Sequence, residues 1–230
     1  MRLYKFVLLL IFCSLTLMGF SQKKMPDKTF SVLLSPALLR APETQWGLQT
    51  GIAYRWRNWS VGAEAALPFR KSHIDYAKIK YIRLGMELKH YSYNEPLFKV
   101  YMSLQNNYAF RQMIDTNGNT YTSKNPPGVF RFSKASISSP IFSSALKFGA
   151  EVPITKNLFM DAFAGFGIRI VSTSYKNVEN TTPGSFFRAI DCCTFIPVYR
   201  YEGTFTRLHI TTGFRLGYVI SKNNSKRDEH

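Results

Sequence analysis

The stretch "LFKVYMSLQNNYAFR", residues 97–111, alternates along its length. Phe98, Val100, Met102, Leu104, Tyr108 and Phe110 share one face, and Lys99, Tyr101, Ser103, Gln105, Asn107 and Arg111 share the other. Successive side chains of a strand point to opposite sides, so the pattern predicts a strand with one apolar and one polar face. The same period recurs over 29–39, 45–56, 59–69, 79–92, 98–111, 140–154, 158–172 and 205–220, each segment bounded by turn-type residues. In 45–56, Trp46, Leu48, Ile52, Tyr54 and Trp56 oppose Gly47, Gln49, Gly51, Ala53 and Arg55. In 158–172 the apolar set from Leu158 to Ile170 opposes Asp161, Gly165, Gly167 and Arg169, with Phe159 and Phe163 as exceptions on the polar side. The connections after the second, fourth and sixth segments are short, and those after the third, fifth and seventh are long, the largest being 112–139 and 173–204.

An even number of strands, with tight turns at one end and long loops at the other, is the layout of an outer-membrane barrel with its termini in the periplasm. The expected fold is therefore all-β, an eight-stranded antiparallel up-and-down transmembrane barrel. A soluble lipocalin-like carrier has the same period with its faces reversed. Three features favour the membrane form. The apolar face is read as free of Lys, Arg, Asp and Glu. Aromatic residues gather near strand ends at Trp46, Trp56, Trp59, Phe69 and Tyr218, where an interfacial girdle belongs. The glycines of these segments fall on the polar face, where a narrow interior needs small neighbours, whereas on a soluble exterior they would only weaken the strands.

Composition adds direction. The opening MRLYKFVLLLIFCSLTLMGFSQ sets Arg2 and Lys5 before an apolar run, then Gly19 and Ser21 before Gln22. This predicts a cleaved signal peptide over 1–21, a barrel over 22–220 and a polar tail over 221–230. The chain carries 30 Lys+Arg against 14 Asp+Glu, a net charge of +16. Such a balance suits anionic partners, lipid phosphates among them. Beyond Cys13 only Cys192 and Cys193 remain, too few for a disulfide framework.

The stretches "YRWRNWSVGAEAAL" and "NLFMDAFAGFGIRI", with a signal ending in Ser-Gln, resemble the small eight-stranded outer-membrane β-barrel proteins of Gram-negative bacteria. The resemblance covers nearly all of the mature chain and rests on pattern. Thr211, Gly213, Leu216 and Tyr218 also resemble the last-strand signal read by the barrel-assembly machinery, although here a polar tail follows it. What the resemblance implies is residence in the outer membrane, among lipid and lipopolysaccharide.

Eight strands close to a width that side chains can fill. The polar face places Arg55, Arg83, Lys89, Lys99, Lys147, Arg169, Arg207 and Arg215 with Glu64, Glu87, Glu151 and Asp161 in the lumen. A buried salt-bridge network is expected there, since unpaired charges would be costly. The excess of cations argues for an anion path instead. Outside, Arg40, Arg70, Lys71, Lys78, Lys124, Arg131, Lys134, Lys176, Arg188 and Arg200 make the loops basic. "GSFFRAIDCCTFIPVYRYEG" within 173–204 is apolar enough to fold over the mouth or to meet a protein or external ligand.

Other motifs fail on inspection. Asp115 to Asn119 begins like a calcium loop, but Thr120 and Pro126 stand where the glycine and the bidentate glutamate belong. Cys192 and Cys193 lack zinc spacing. His90-Tyr91-Ser92 resembles part of the motif of the lipid A deacylase barrels. Tyr93 stands where that family has asparagine, no acidic partner follows at a suitable distance, and His90 falls near the inner leaflet. The expectation is a monomeric, non-enzymatic barrel with a structural or surface-interaction role, without metal, cofactor or nucleic acid. The alternatives are an accessory subunit of a secretion or uptake machine, a small-solute channel, a lipid A-modifying hydrolase and the soluble carrier.

Overall fold

The computed structural model describes residues 28–40, 44–69, 77–94, 98–115, 120–184 and 201–223. They form β1 (Lys28–Arg40), β2 (Thr44–Trp56), β3 (Trp59–Pro68), β4 (Ala77–Asn94), β5 (Lys99–Asp115), β6 (Thr120–Lys124), β7 (Pro127–Arg131), β8 (Lys134–Ser138), β9 (Ile141–Pro153), β10 (Leu158–Glu179), β11 (Thr182–Pro183) and β12 (Gly203–Asn223). β8 and β9 are one stave interrupted at Ser139-Pro140, because both lie between β5 and β10. Eight antiparallel staves result. They close, because β12 pairs with β10 on one side and β1 on the other.

The closure has a measurable stagger. From Leu216 the pairing passes through Leu34, Thr50, Ala65, Leu84, Tyr108, Phe142 and Ile170, and meets β12 again at Thr206, ten residues from the start. Eight strands at ~4.8 Å spacing with that shear tilt by about 40° and rise about 2.5 Å per residue along the axis, leaving an interior that side chains fill.

The faces sort as the alternation requires. Leu34, Leu48, Ile52, Leu84, Met86, Met102, Leu104, Phe110, Phe148, Phe166 and Ile210 are exposed on the outside. Arg55, Glu64, Glu87, Lys89, Lys99, Lys147, Glu151, Asp161 and Arg215 are buried inside. From Phe98, just before β5, to Phe110 on it, the outward run covers about 30 Å of axis, close to the ~25 Å apolar band of a membrane barrel. Lys80 corrects the expectation of an outer face without charge. It is exposed, on the same face as Ile82, and it stands at the extracellular rim, where an ammonium can reach the headgroups.

Several segment bounds move outward. β4 begins at Ala77, β5 reaches Asp115 and β10 runs to Glu179, so the barrel wall continues past the membrane on the extracellular side. The span 112–139, expected as a loop, contains β6, β7 and β8, and β6, β7 and β11 form a second three-stranded sheet. Met113, Tyr121, Phe132, Ala135 and Ile137 form a core there, with Phe130, Tyr175 and Val178 packed against it. The extension thus has its own apolar interior, lying above the bilayer band.

Candidate functional site

The lumen of the periplasmic half is occupied by one connected set of side chains, with Arg215 of β12 at its centre, 1% exposed. Arg215 donates through Nε to Asp161 of β10 at 3.0 Å, and its Nη2 lies 2.8 Å from the same carboxylate. Its Nη1 reaches Glu87 of β4 at 2.6 Å and also Glu64 of β3. Lys147 of β9 meets the other oxygen of Glu87 at 2.7 Å. Lys89 bridges Asp161 at 2.7 Å and Glu151 at 2.8 Å. Three cations and four carboxylates therefore share the core of the network, and Arg55 and Lys99 lie buried beside it toward the periplasmic mouth.

Neutral groups complete the shell, as buried charges require. Tyr101 donates to Asp161 at 2.6 Å, Tyr91 to Glu151 at 2.6 Å, Ser103 to Glu87 at 2.7 Å and Gln105 to Glu64 at 2.9 Å. Gln49 donates to Glu64 while accepting from Arg83, which ties the network to the extracellular half. Aromatic faces cover the cations. Lys89 Nζ lies 4.0 Å from the centroid of Tyr101, Arg55 4.2 Å from Tyr91, Lys147 3.9 Å and Arg215 4.7 Å from Phe163.

The two exceptions in the alternation have a physical cause. Phe159 is paired with Gly217 and Phe163 with Gly213, and a Cβ at either glycine would collide with the facing ring. The strand gives up side chains on β12 so that β10 can place two rings inside. Gly149 yields to Tyr101, and Gly165 to Lys147, in the same way.

The remaining lumen positions lie apart from this network. Arg83, Arg111, Arg169 and Arg207 stand on the extracellular side, with Arg111 donating to Ser139, and Arg169 and Arg207 directly opposite one another on β10 and β12. Below the network a cavity of about 20 Å³, room for about one water, is lined by Arg55, Lys89, Tyr91, Lys99 and Glu151 among others. The aromatic residues expected at the girdle separate to both ends. Trp46 and Phe69 are exposed at the extracellular side, and their backbones are hydrogen-bonded at 3.0 Å. Trp59 and Tyr218 are exposed at the periplasmic end, near Trp56.

The candidate assembly-signal residues lie on β12, with Leu216 and Tyr218 outward and Thr211 and Gly213 inward. His90 packs on the Trp59 ring, centroids 4.6 Å apart, and Ser92 sits in a β-bulge, donating to the Val100 carbonyl at 3.4 Å. Residues 1–21, the greater part of the tail 221–230, Cys192, Cys193 and most of the apolar stretch in 173–204 lie outside the described residues. The residues that sequence reasoning missed are the aromatic and amide partners Tyr91, Tyr101, Phe163, Gln49 and Gln105. Their only signal was a polar-face position in a segment rich in lumen charge.

An apolar exterior around a charged, hydrogen-bonded interior defines a transmembrane β-barrel of the outer-membrane type. Among solved structures the chain is similar to Acinetobacter baumannii CarO, with 8% identity over 85% of this chain and 98% of that one, at a TM-score of 0.41. It is also similar to Neisserial surface protein A (NspA), with 10% identity over 84% of this chain and 96% of that one, at a TM-score of 0.35. No protein-family model and no curated protein matches the sequence.

Proposed function

We propose that this chain is a non-enzymatic outer-membrane barrel, closed to solutes, that presents a basic extracellular side to lipopolysaccharide or to an external ligand. The observation that carries the reading is Arg215, joined at the lumen axis to carboxylates of β3, β4 and β10. A path through the barrel would have to separate these pairs, each of which is desolvated. Lys124, Arg131, Lys134 and Lys176 are exposed on the extracellular extension, and Lys134 is partnered by Glu179 at 2.8 Å. Point charges at that height match lipid phosphates. The outward, Trp59-packed position of His90 supports a non-catalytic reading of His90-Tyr91-Ser92.

Planar bilayers test the closed lumen. The mature wild-type protein is expected to add no steady current to the lipid background, whereas Arg215→Ala, which leaves Glu64, Glu87 and Asp161 facing one another, is expected to produce brief cation-selective steps. Steady wild-type conductance would replace this reading with that of a narrow channel. Co-elution of lipopolysaccharide with the purified barrel, reduced by neutralising Lys124 and Arg131, is the expected sign of the surface role.

A further inference from the structure

On the periplasmic side of the ion network, an inward row runs across four neighbouring strands. Thr29 of β1 pairs with Arg55 of β2, Arg55 with Ser60 of β3, and Ser60 with Lys89 of β4. Register and inward parity therefore set two hydroxyls and two cations side by side. Ser31 follows on β1, and Lys99 of β5 joins them, paired across the strands with Glu151 of β9. These residues line the cavity of about 20 Å³, and Thr29, Ser31 and Ser60 are buried. The other side is a small apolar cluster of Leu33, Phe159 and Val219 with Ala53 against it.

The lining is rich in donors and poor in acceptors. Lys89 bonds Asp161 and Glu151 and has one N–H over, while Arg55 turns Nε to the Arg57 carbonyl at 3.4 Å and carries further N–H on both Nη atoms. Lys99 has several N–H as well. A partner elsewhere for Arg55 or Lys99 thus still leaves donors for the cavity. Glu151 is the one carboxylate among the described lining residues, and it already accepts from Lys89 and Tyr91. A water in this space would have to turn its own hydrogens toward cations. A monatomic anion accepts from every side. Room for about one water excludes sulfate and phosphate, and the apolar wall offers nothing to the outer oxygens of either. Chloride is little larger than a water, and the cations and hydroxyls give it the pairing and hydrogen bonds that a buried charge requires.

We propose that this cavity is a halide site, holding one chloride ion among Arg55, Lys89, Lys99 and the hydroxyls of β1 and β3. The ion enters from the periplasmic mouth and is stopped above by the Arg215 network. The site goes beyond the closed-lumen reading and rests on it only for that stop.

Halide binding to the full mature barrel, refolded in detergent, is read from broadening of the chloride NMR line and from the unfolding midpoint. Bromide should reverse the broadening, and the midpoint should be higher in chloride or bromide than in gluconate at equal ionic strength. Ser31→Val, which fills the cavity and leaves every charge in place, should abolish both effects. Lys99→Met should weaken halide affinity about tenfold, as loss of one charge-assisted hydrogen bond implies. Ser103→Ala, which alters the Glu87 end of the network outside the cavity, should lower the midpoint and leave the halide dependence intact. Faster migration of each variant before boiling separates a lost site from a lost barrel. Equal midpoints in chloride and gluconate, with no broadening, would assign the cavity to water and overturn the site while the lumen stays closed. A halide dependence that survives in Ser31→Val would overturn it as well. Steady chloride current through the wild-type barrel in planar bilayers would fail the closed lumen instead, and would make the cavity part of a path rather than a site.

Discussion

Arg215 gathers carboxylates from three strands, and the geometry makes it the most consequential single side chain in the lumen. Truncating one member of a buried ion network leaves the others desolvated and unpaired, at a cost of about 3–5 kcal/mol. Arg215→Met should therefore lower the denaturant midpoint of the refolded barrel sharply, and an unchanged midpoint would mean that the network carries no stability. The glycines are tied to the same network. Gly217→Ala would drive a methyl into Phe159, and overpacking of this kind costs about 1–3 kcal/mol. The same substitution at Gly203, where a Cβ would meet nothing within 4 Å, is governed by its φ of +118° rather than by crowding. Parity alone assigned each lumen charge to the inside, because a strand has only two faces. It could not assign partners, since Glu64 and Arg215 are 151 positions apart and meet only through the shear of the closed barrel. Phe159 and Phe163 broke the alternation for a reason that lies on another strand.

At the scale of elements, the eight staves were readable because each holds a period of two over many residues, and the short turns fell between them. β6, β7 and β11 were not, since they are two to five residues long and carry too few alternations to stand out. Their stability comes from aromatic packing, with Tyr121 and Tyr175 stacked at 4.3 Å and Phe132 1% exposed between them and Ile137. Phe132→Ala removes a ring worth about 3–5 kcal/mol to that small core. Protease applied to intact vesicles or cells should then cut the extension while leaving the membrane staves protected. Protection equal to wild type would show that the extension is held by the barrel rather than by its own core. The early stop of β1–β12 pairing was likewise hidden from pattern reading. Pro36 and the stretch of β12 that, among the described residues, pairs with β10 alone have meaning only once β1 and β12 are side by side.

At the scale of the molecule, one decision orders everything else, which is that the apolar face is outside. It explains why Leu208 and Phe166 tolerate exposure, why arginines and carboxylates fill the middle, and why the Trp and Tyr residues divide between two ends. If the faces were reversed, a charged lumen would become a ligand cavity and the apolar exterior a barrier to solubility. The most direct measurement is made on the purified mature chain, by circular dichroism and by gel migration with and without boiling. A β-rich protein that requires detergent and migrates faster before boiling is the predicted result. A chain that remains monomeric and soluble without detergent would contradict the sidedness, and with it the closed lumen.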